Sequence, residues 1–312
     1  MAMKTTPILK SKPFLKWAGG KTQLLPKIDA ALPHKELNNG TLKKYVEPFV
    51  GSGAVLFHIL EKYPQISEIY INDINIDLIN VYVTIKINVL SLISILDKIE
   101  KEYLPLEHEQ RKEYYYKIRK IFNDTQIDEK YVYSNNDIAI NRAAQFIFLN
   151  RTCFNGLYRV NKKGEFNVPM GQYKNPKICN TPLLKSVHRA LQNVSIYSGD
   201  YKNTESVIDN SSFVYFDPPY RPITTSSNFT SYSSNGFDDA NQIELSNYFN
   251  LLNNKGAYLM LSNSDPKNVD HNDNFFDDLY KSFNINRVNA TRRINSNASK
   301  RGVITELLIT NY

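Results

Sequence analysis

Short apolar runs that stop at a glycine, a proline or an acid alternate with helical stretches at both ends of this chain. Residues 44–49 read as a short strand, followed by the turn Val50-Gly51-Ser52-Gly53. A helix is expected from 54 to about 63, with Val55, Leu56, Ile59 and Leu60 on its apolar face. A second strand over 69–73 ends in Asp73, with a helix from 75 to about 87 behind it. The same alternation returns late in the chain. Strands are expected around Ile196, at 212–216 and at 257–263, with a helix over 238–252 before the last. Two more follow at 284–288 and 306–311. Between these halves, 89–144 is helical and more polar, and the tyrosines at 114–116 read there as helix packing. Alternating strands and helices imply an α/β fold, with the middle inserted between two halves of one sheet.

Three stretches carry chemistry. The strand at 212–216 ends in Asp217-Pro218-Pro219-Tyr220. Two prolines remove two backbone donors, so the carbonyls of Asp217 and Pro218 are expected to be free to accept elsewhere. With the Asp217 carboxylate and the flat face of Tyr220, they suit an exocyclic amine on a planar heterocycle, as in a flipped nucleobase. A plain turn after a core strand is the competing reading. Next, the turn 50–53 between strand and helix places backbone N–H groups against a ligand. Asp73 stands 22 positions beyond Gly51, near the spacing of a ribose-binding carboxylate. The third glycine of a dinucleotide fingerprint is missing, since Leu56 stands there. An adenosine without a pyrophosphate fits better, and a capping role for Asp73 stays open. Third, Gly19-Gly20-Lys21-Thr22 resembles the end of a phosphate loop, but Leu15 replaces its first glycine. A helix from about Gln23 would follow.

Charge sharpens the picture. The whole chain carries +7. Residues 141–190 alone hold nine basic residues (Arg142, Arg151, Arg159, Lys162, Lys163, Lys174, Lys177, Lys185 and Arg189) against one acid, Glu165. Phe154, Tyr158, Phe166 and Tyr173 are interleaved, and 161–164 (Asn-Lys-Lys-Gly) reads as a hairpin turn. Bases beside aromatics suit a nucleic acid, with a solvated basic face as the alternative. A Ser/Thr/Asn-rich loop at 223–236 lies where a lid over the Asp217 pocket would sit, and Arg292, Arg293, Lys300 and Arg301 form a second basic stretch. The two cysteines, Cys153 and Cys179, have no metal-ligand spacing, so no metal is expected. No apolar stretch follows the N-terminal Met-Ala-Met-Lys-Thr-Thr-Pro, and the run 89–96 is too short to cross a bilayer. A reducing cytoplasm and no membrane partner are expected.

In this order the pieces resemble a DNA adenine N6-methyltransferase of the Dam type (D12 class, alpha group), close to the GATC-methylating enzymes of restriction–modification systems. The likeness rests on Phe-Leu-Lys-Trp-Ala-Gly-Gly-Lys (14–21), Glu-Pro-Phe-Val-Gly-Ser-Gly (47–53), Asn-Asp (72–73), Asp-Pro-Pro-Tyr (217–220) and the central segments 151–161 and 164–173. It implies a Rossmann-like S-adenosylmethionine-dependent methyltransferase sheet, with an inserted, mainly helical DNA-recognition domain carrying a β-hairpin. The catalytic domain would comprise 1–85 and 190–312, and the recognition domain 86–189.

The resemblance also implies roles. Trp17, Ala18, Gly19, Gly20 and Lys21 would contact S-adenosylmethionine. Glu47, Pro48, Phe49, Gly51 and Gly53 would cradle it, Asp73 would hold its ribose, and Asp200 with Tyr201 would flank its adenine. Asp217, which also lies by the cofactor, would bind the target N6 amine. Pro218 and Pro219 would shape the pocket, and Tyr220 would stack on the flipped adenine. Lys16 resembles the reader of the first guanine of GATC, and Arg159 the reader of the third base pair. Phe154, Asn155 and Leu157 match a loop that wedges into the duplex, with Arg151, Asn161, Pro169 and Tyr173 beside it. Where some relatives carry tyrosine, this chain has Phe154. Double-stranded DNA containing GATC would be the substrate and a restriction endonuclease the functional companion, in a bacterial cytoplasm. Cytosine N4, RNA adenine or a protein glutamine stay open as other targets, as does a nucleotide-driven ATPase.

Overall fold

The computed structural model describes residues 10–17, 19–134, 136–221, 237–291 and 303–312. Seven strands form one sheet: β1 (Lys44–Glu47), β2 (Glu68–Asp73), β3 (Val194–Ser198), β4 (Ser212–Phe216), β5 (Tyr258–Ser264), β6 (Asn284–Thr291) and β7 (Val303–Thr310). Their order is β3-β2-β1-β4-β5-β7-β6. The first five strands run parallel. β7 enters antiparallel between β5 and β6.

Burial of both sheet faces explains why the β4 sequence reads as one apolar run rather than an alternation. Tyr45, Phe213, Tyr215, Met260 and Leu308 point into one core layer. Their neighbours Val46, Val214, Phe216, Leu259, Leu261, Leu307 and Ile309 point into the other. The second layer is closed by α9 (Asp239–Asn254) and α10 (Phe275–Leu279). The first is closed by α1 (Leu25–Ala31), α2 (His34–Asn38), α3 (Ala54–Lys62) and the long α4 (Ile76–Tyr103).

The expected helix from about Gln23 begins differently. Lys21–Gln23 forms a single tight turn, and α1 starts only at Leu25 with Pro26 in its first turn. The helix expected to stop near residue 87 runs on to Tyr103. Its backbone leaves helical geometry at Asn88 alone. The expected boundary at 85/86 therefore falls inside α4. This helix is long and apolar enough to cross a membrane, and here Leu78, Ile79, Val81, Leu92 and Leu96 are buried in the core.

The central region adds α5 (His108–Asp124), α6 (Glu129–Val132), α7 (Asp137–Thr152) and α8 (Thr181–Ala190). Tyr115 is buried with its hydroxyl on the Val168 carbonyl at 2.8 Å, so that tyrosine packs. Between α7 and α8 the chain is irregular. Val160 and Phe166 form one antiparallel bridge across the turn at 161–164, and Cys153 pairs with Met170. Asn161 closes that turn, accepting from the N–H groups of Lys163 (2.9 Å) and Glu165 (3.0 Å).

One central base is not on the surface. Arg142 is 6% exposed and pairs with Asp77 at 2.5 and 2.9 Å. It also donates to the Phe122 carbonyl at 2.6 Å and to that of Thr125. It fastens α5 and α7 to α4. This removes Arg142 from the nine basic residues expected to form a nucleic-acid surface.

Candidate active site

The carboxyl ends of β1 to β4 lie along one edge of the sheet, where ligands of open α/β folds bind. The glycine turn leaves β1 there. Gly51 has φ 48°, and a side chain on it would press into the Trp17 ring at 3.1 Å. Glycine is therefore required both by the left-handed backbone and by Trp17. Its carbonyl accepts from the Tyr82 hydroxyl at 3.1 Å, and the Gly53 N–H returns to the Val50 carbonyl at 2.8 Å. Asp73, ending β2, accepts from the N–H groups of Gly51 (3.1 Å) and Asn75 (2.9 Å). The cap of α4 is Asn75, whose side chain accepts from Leu78 N–H at 3.0 Å. Burial pushes the Asp73 pKa up to about 6, against those two N–H bonds.

Asn72, 0% exposed, belongs to the Asn-Asp anchor of the sequence reading, which gave it no role of its own. Its amide donates to the carbonyls of Pro48 (3.1 Å) and Gly199 (2.9 Å), clamping the loops after β1 and β3 to the end of β2. Glu47 is buried and accepts from the Tyr45 hydroxyl at 2.8 Å. Phe49 packs 5.2 Å from Tyr201. Asp200 is exposed and caps the turn at 201–207 through the Lys202 N–H at 2.9 Å. Trp17 begins a stack with Tyr158 at 5.6 Å and Phe146 at 6.4 Å.

Beside this cradle stands the tetrapeptide. Lys21 is 5% exposed. Its ammonium reaches Asp217 Oδ1 at 2.8 Å and the Gly19 carbonyl at 2.8 Å. It also lies over the Tyr220 ring, 4.3 Å from the centroid. Ser262 on β5 donates to Asp217 Oδ1 at 3.1 Å, backed by Tyr215 at 2.9 Å. Burial raises the Asp217 pKa, and the Lys21 ammonium and the Ser262 hydroxyl oppose that rise. The Pro219 carbonyl accepts from Gln242 at 3.0 Å, itself held by Asn263 at 3.1 Å. The Tyr220 hydroxyl donates to Glu306 Oε2 at 2.7 Å. Ser262, Gln242, Asn263 and Glu306 carry no local motif. They become visible only once the sheet order sets β5 beside β4 and β7 beside β5, with α9 packed on the same sheet.

The residues expected to read DNA form a second group. Lys16 lies over the Tyr173 ring at 4.0 Å, and its backbone is doubly bonded to the Asn150 amide at 2.9 and 2.7 Å. Gly156 (φ 64°) admits it, because any Cβ there would fall 2.2 Å from Lys16 Cδ. Phe154 is 52% exposed, and Asn155 has φ 55°, a conformation asparagine tolerates. Leu157 closes that turn through its N–H to the Phe154 carbonyl at 3.3 Å. The exposed Pro169 accepts from the Phe154 N–H at 2.9 Å. Arg159 donates to Asn167 at 2.7 Å. Asn161 is used by its own turn, and Arg151 donates to the Phe14 carbonyl, fixing the irregular segment that leads to Lys16. Ala18, the loop at 223–236 and the basic residues at 292–301 lie outside the described residues.

Comparison with known proteins follows this geometry. The family model for D12 class N6 adenine-specific DNA methyltransferases matches residues 17–294. The chain is 51% identical to the Type II methyltransferase M.MjaIII of Methanocaldococcus jannaschii, over 97% of this chain and 100% of that protein. It is 40% identical to the Type II methyltransferase M1.LlaDCHI of Lactococcus lactis subsp. cremoris, over 96% and 95% respectively. It is 35% identical to a DNA adenine methylase of Vibrio cholerae, again over 96% and 95%.

Proposed function

Because this chain belongs to the D12 class of N6 adenine-specific DNA methyltransferases, we propose that it methylates adenine within GATC from S-adenosylmethionine, without a metal, as the modifying half of a restriction–modification pair. The observation that carries the reading is the meeting of two built structures at one sheet edge. The glycine cradle with Asp73 lies beside Asp217, which is held by Lys21 and Ser262.

The residues present suit the cofactor. Gly51 lets the turn pack directly against the Trp17 ring, 3.1 Å from where a Cβ would stand, and that ring supplies an aromatic wall. Asp73 offers acceptors for ribose hydroxyls. Glu47, Pro48 and Phe49 shape the cradle floor, Gly19, Gly20 and Lys21 the near wall, and Asp200 with Tyr201 the far side. When bound, S-adenosylmethionine supplies a methyl group already activated on a sulfonium.

Adenine N6 is a poor nucleophile because its lone pair is delocalised into the ring. Asp217 Oδ and the Pro218 carbonyl accept its two N–H bonds and turn the lone pair out of conjugation. Tyr220 stacks on the base and holds it for in-line attack. Catalysis is then mainly positioning and fixed electrostatics. The proton released from the methylated amine goes toward Asp217. Lys21 keeps that carboxylate ionised, since it is the nearest opposing charge.

Site selection rests on Lys16 and Arg159 as readers of guanine edges, with Phe154, Asn155 and Leu157 entering the duplex beside them. Arg151, Asn161, Pro169 and Tyr173 hold that loop. The Type II names of two relatives support the restriction–modification role, with a cognate endonuclease as partner. The bacterial cytoplasm belongs to the same reading, although one of these relatives is archaeal.

Methyl transfer from labelled S-adenosylmethionine to two duplexes, one with GATC and one with GTTC, both in chelator, tests it. Label on adenine N6 of GATC alone is expected. Label in both duplexes overturns the site, and transfer that requires added metal overturns the cofactor reading.

A further inference from the structure

Tyr220 and Glu306 are 86 positions apart, yet the Tyr220 hydroxyl donates to Glu306 Oε2 at 2.7 Å. We infer that Glu306 is a positioning residue for methyl transfer: by accepting this hydroxyl it fixes the Tyr220 ring in the plane the target base must meet. The inference rests on the reading above that Tyr220 stacks on adenine.

The backbone under Glu306 is pinned. Glu306 lies in register with Ser264 of β5 and Val288 of β6. The preceding Thr305 is tied to Asn268 (2.9 Å) and Asp265 (2.7 Å). A carboxylate projecting from so fixed a strand is a rigid acceptor. Lys21 covers one face of the same ring and is itself held by Asp217 and Gly19. With its tip tied and one face covered, the ring cannot tilt or slide without breaking a charged contact.

The choice of a carboxylate has a cost. Glu306 adds negative potential at Asp217 and helps raise its pKa, working against the ionised form that the amine needs. A neutral acceptor would avoid that. A charged hydrogen bond is the stronger restraint, however, and the Lys21 ion pair offsets the added field. Ser262 on β5 and Glu306 on β7 thus brace the two functional ends of the tetrapeptide from adjacent strands.

The test compares kcat and both KM values for Glu306→Ala, Glu306→Gln, Tyr220→Phe, Tyr220→Ala and the Glu306→Ala/Tyr220→Phe double variant. Glu306→Ala and Tyr220→Phe should each lower kcat about ten- to hundredfold, the scale of one charged hydrogen bond, with the cofactor KM unchanged. The double variant should be no slower than the slower single, and Glu306→Gln, which keeps an acceptor, should recover most of the loss. Tyr220→Phe probes the same bond without touching β7, so a misfolded Glu306 variant leaves the test intact. Wild-type kcat in Glu306→Ala or Tyr220→Phe, or additive losses in the double variant, overturns the inference while an inactive Tyr220→Ala upholds the site. Near-normal turnover in Tyr220→Ala overturns the site reading itself.

Discussion

The tetrapeptide end of the site and the recognition turn are built on opposite plans. At the tetrapeptide the functional side chains already have partners within the fold. Asp217 has Lys21 and Ser262, Tyr220 has Glu306, and the Pro219 carbonyl has Gln242. At the recognition turn, Phe154 is 52% exposed, and Asn155 and Pro169 stand beside it in solvent. Chemistry on a poor nucleophile needs acceptors that do not reorganise during the reaction. Readout of a duplex instead needs groups whose partners arrive with the DNA. On the function proposed above, the difference is one of task.

The sharpest break in that comparison is Asp217→Ala. It should lower transfer by at least about a thousandfold, because positioning and electrostatics at N6 fail together. Single-turnover rates measure this.

Arg142→Ala probes the opposite side, since Arg142 belongs to the basic segment by sequence and to the core by structure. Leaving Asp77 buried without its partner should cost about 3–5 kcal/mol of stability, read as a lower denaturant midpoint. The salt dependence of DNA binding should stay unchanged, because no phosphate contact is lost.

Phe154→Ala should do the reverse. Stability should move by less than about 0.5 kcal/mol, while duplex affinity should fall by about 1–3 kcal/mol if the ring stacks on bases.

Asp73 gives the smallest and most gradual effect. Its folded pKa of about 6 lies above the ordinary aspartate value of 3.8. The native form therefore binds more protons than the unfolded chain across that window. Asp73's contribution to stability is fully present below 3.8 and is lost as pH rises through about 6. Cofactor binding has the opposite sign, because ribose hydroxyls need the ionised acceptor. Affinity for S-adenosylmethionine should fall about tenfold per pH unit below about 6, and calorimetry on Asp73→Asn should show that this dependence has gone.

Much of the fold was legible because its signals are local. The β4 run, the glycine turn and the acids ending β2 and β4 each sit within a few residues. What stayed hidden depends on distant partners. Arg142 has the same local look as any surface base on an amphipathic helix, and only the approach of Asp77 makes it a core residue. Ser262 and Glu306 read as ordinary strand residues until the pairing of β5 with β4, and of antiparallel β7 with β5, brings them to the tetrapeptide. Asn72 is hidden for the same reason, since its two acceptors belong to other loops. The expected end near residue 87 coincides with the break in helical geometry at Asn88, and what the local pattern does not show is that α4 continues across it to Tyr103.

The most direct test of the division of labour measures duplex binding and methyl transfer together for Asp217→Ala and Arg159→Ala, on GATC and on each single-base variant of it. The account predicts that Asp217→Ala binds GATC with near-normal affinity and preference but transfers nothing. Arg159→Ala should transfer, with discrimination lost at one base pair only. If Asp217→Ala loses sequence preference, or Arg159→Ala weakens every duplex equally, chemistry and recognition are not separated as described.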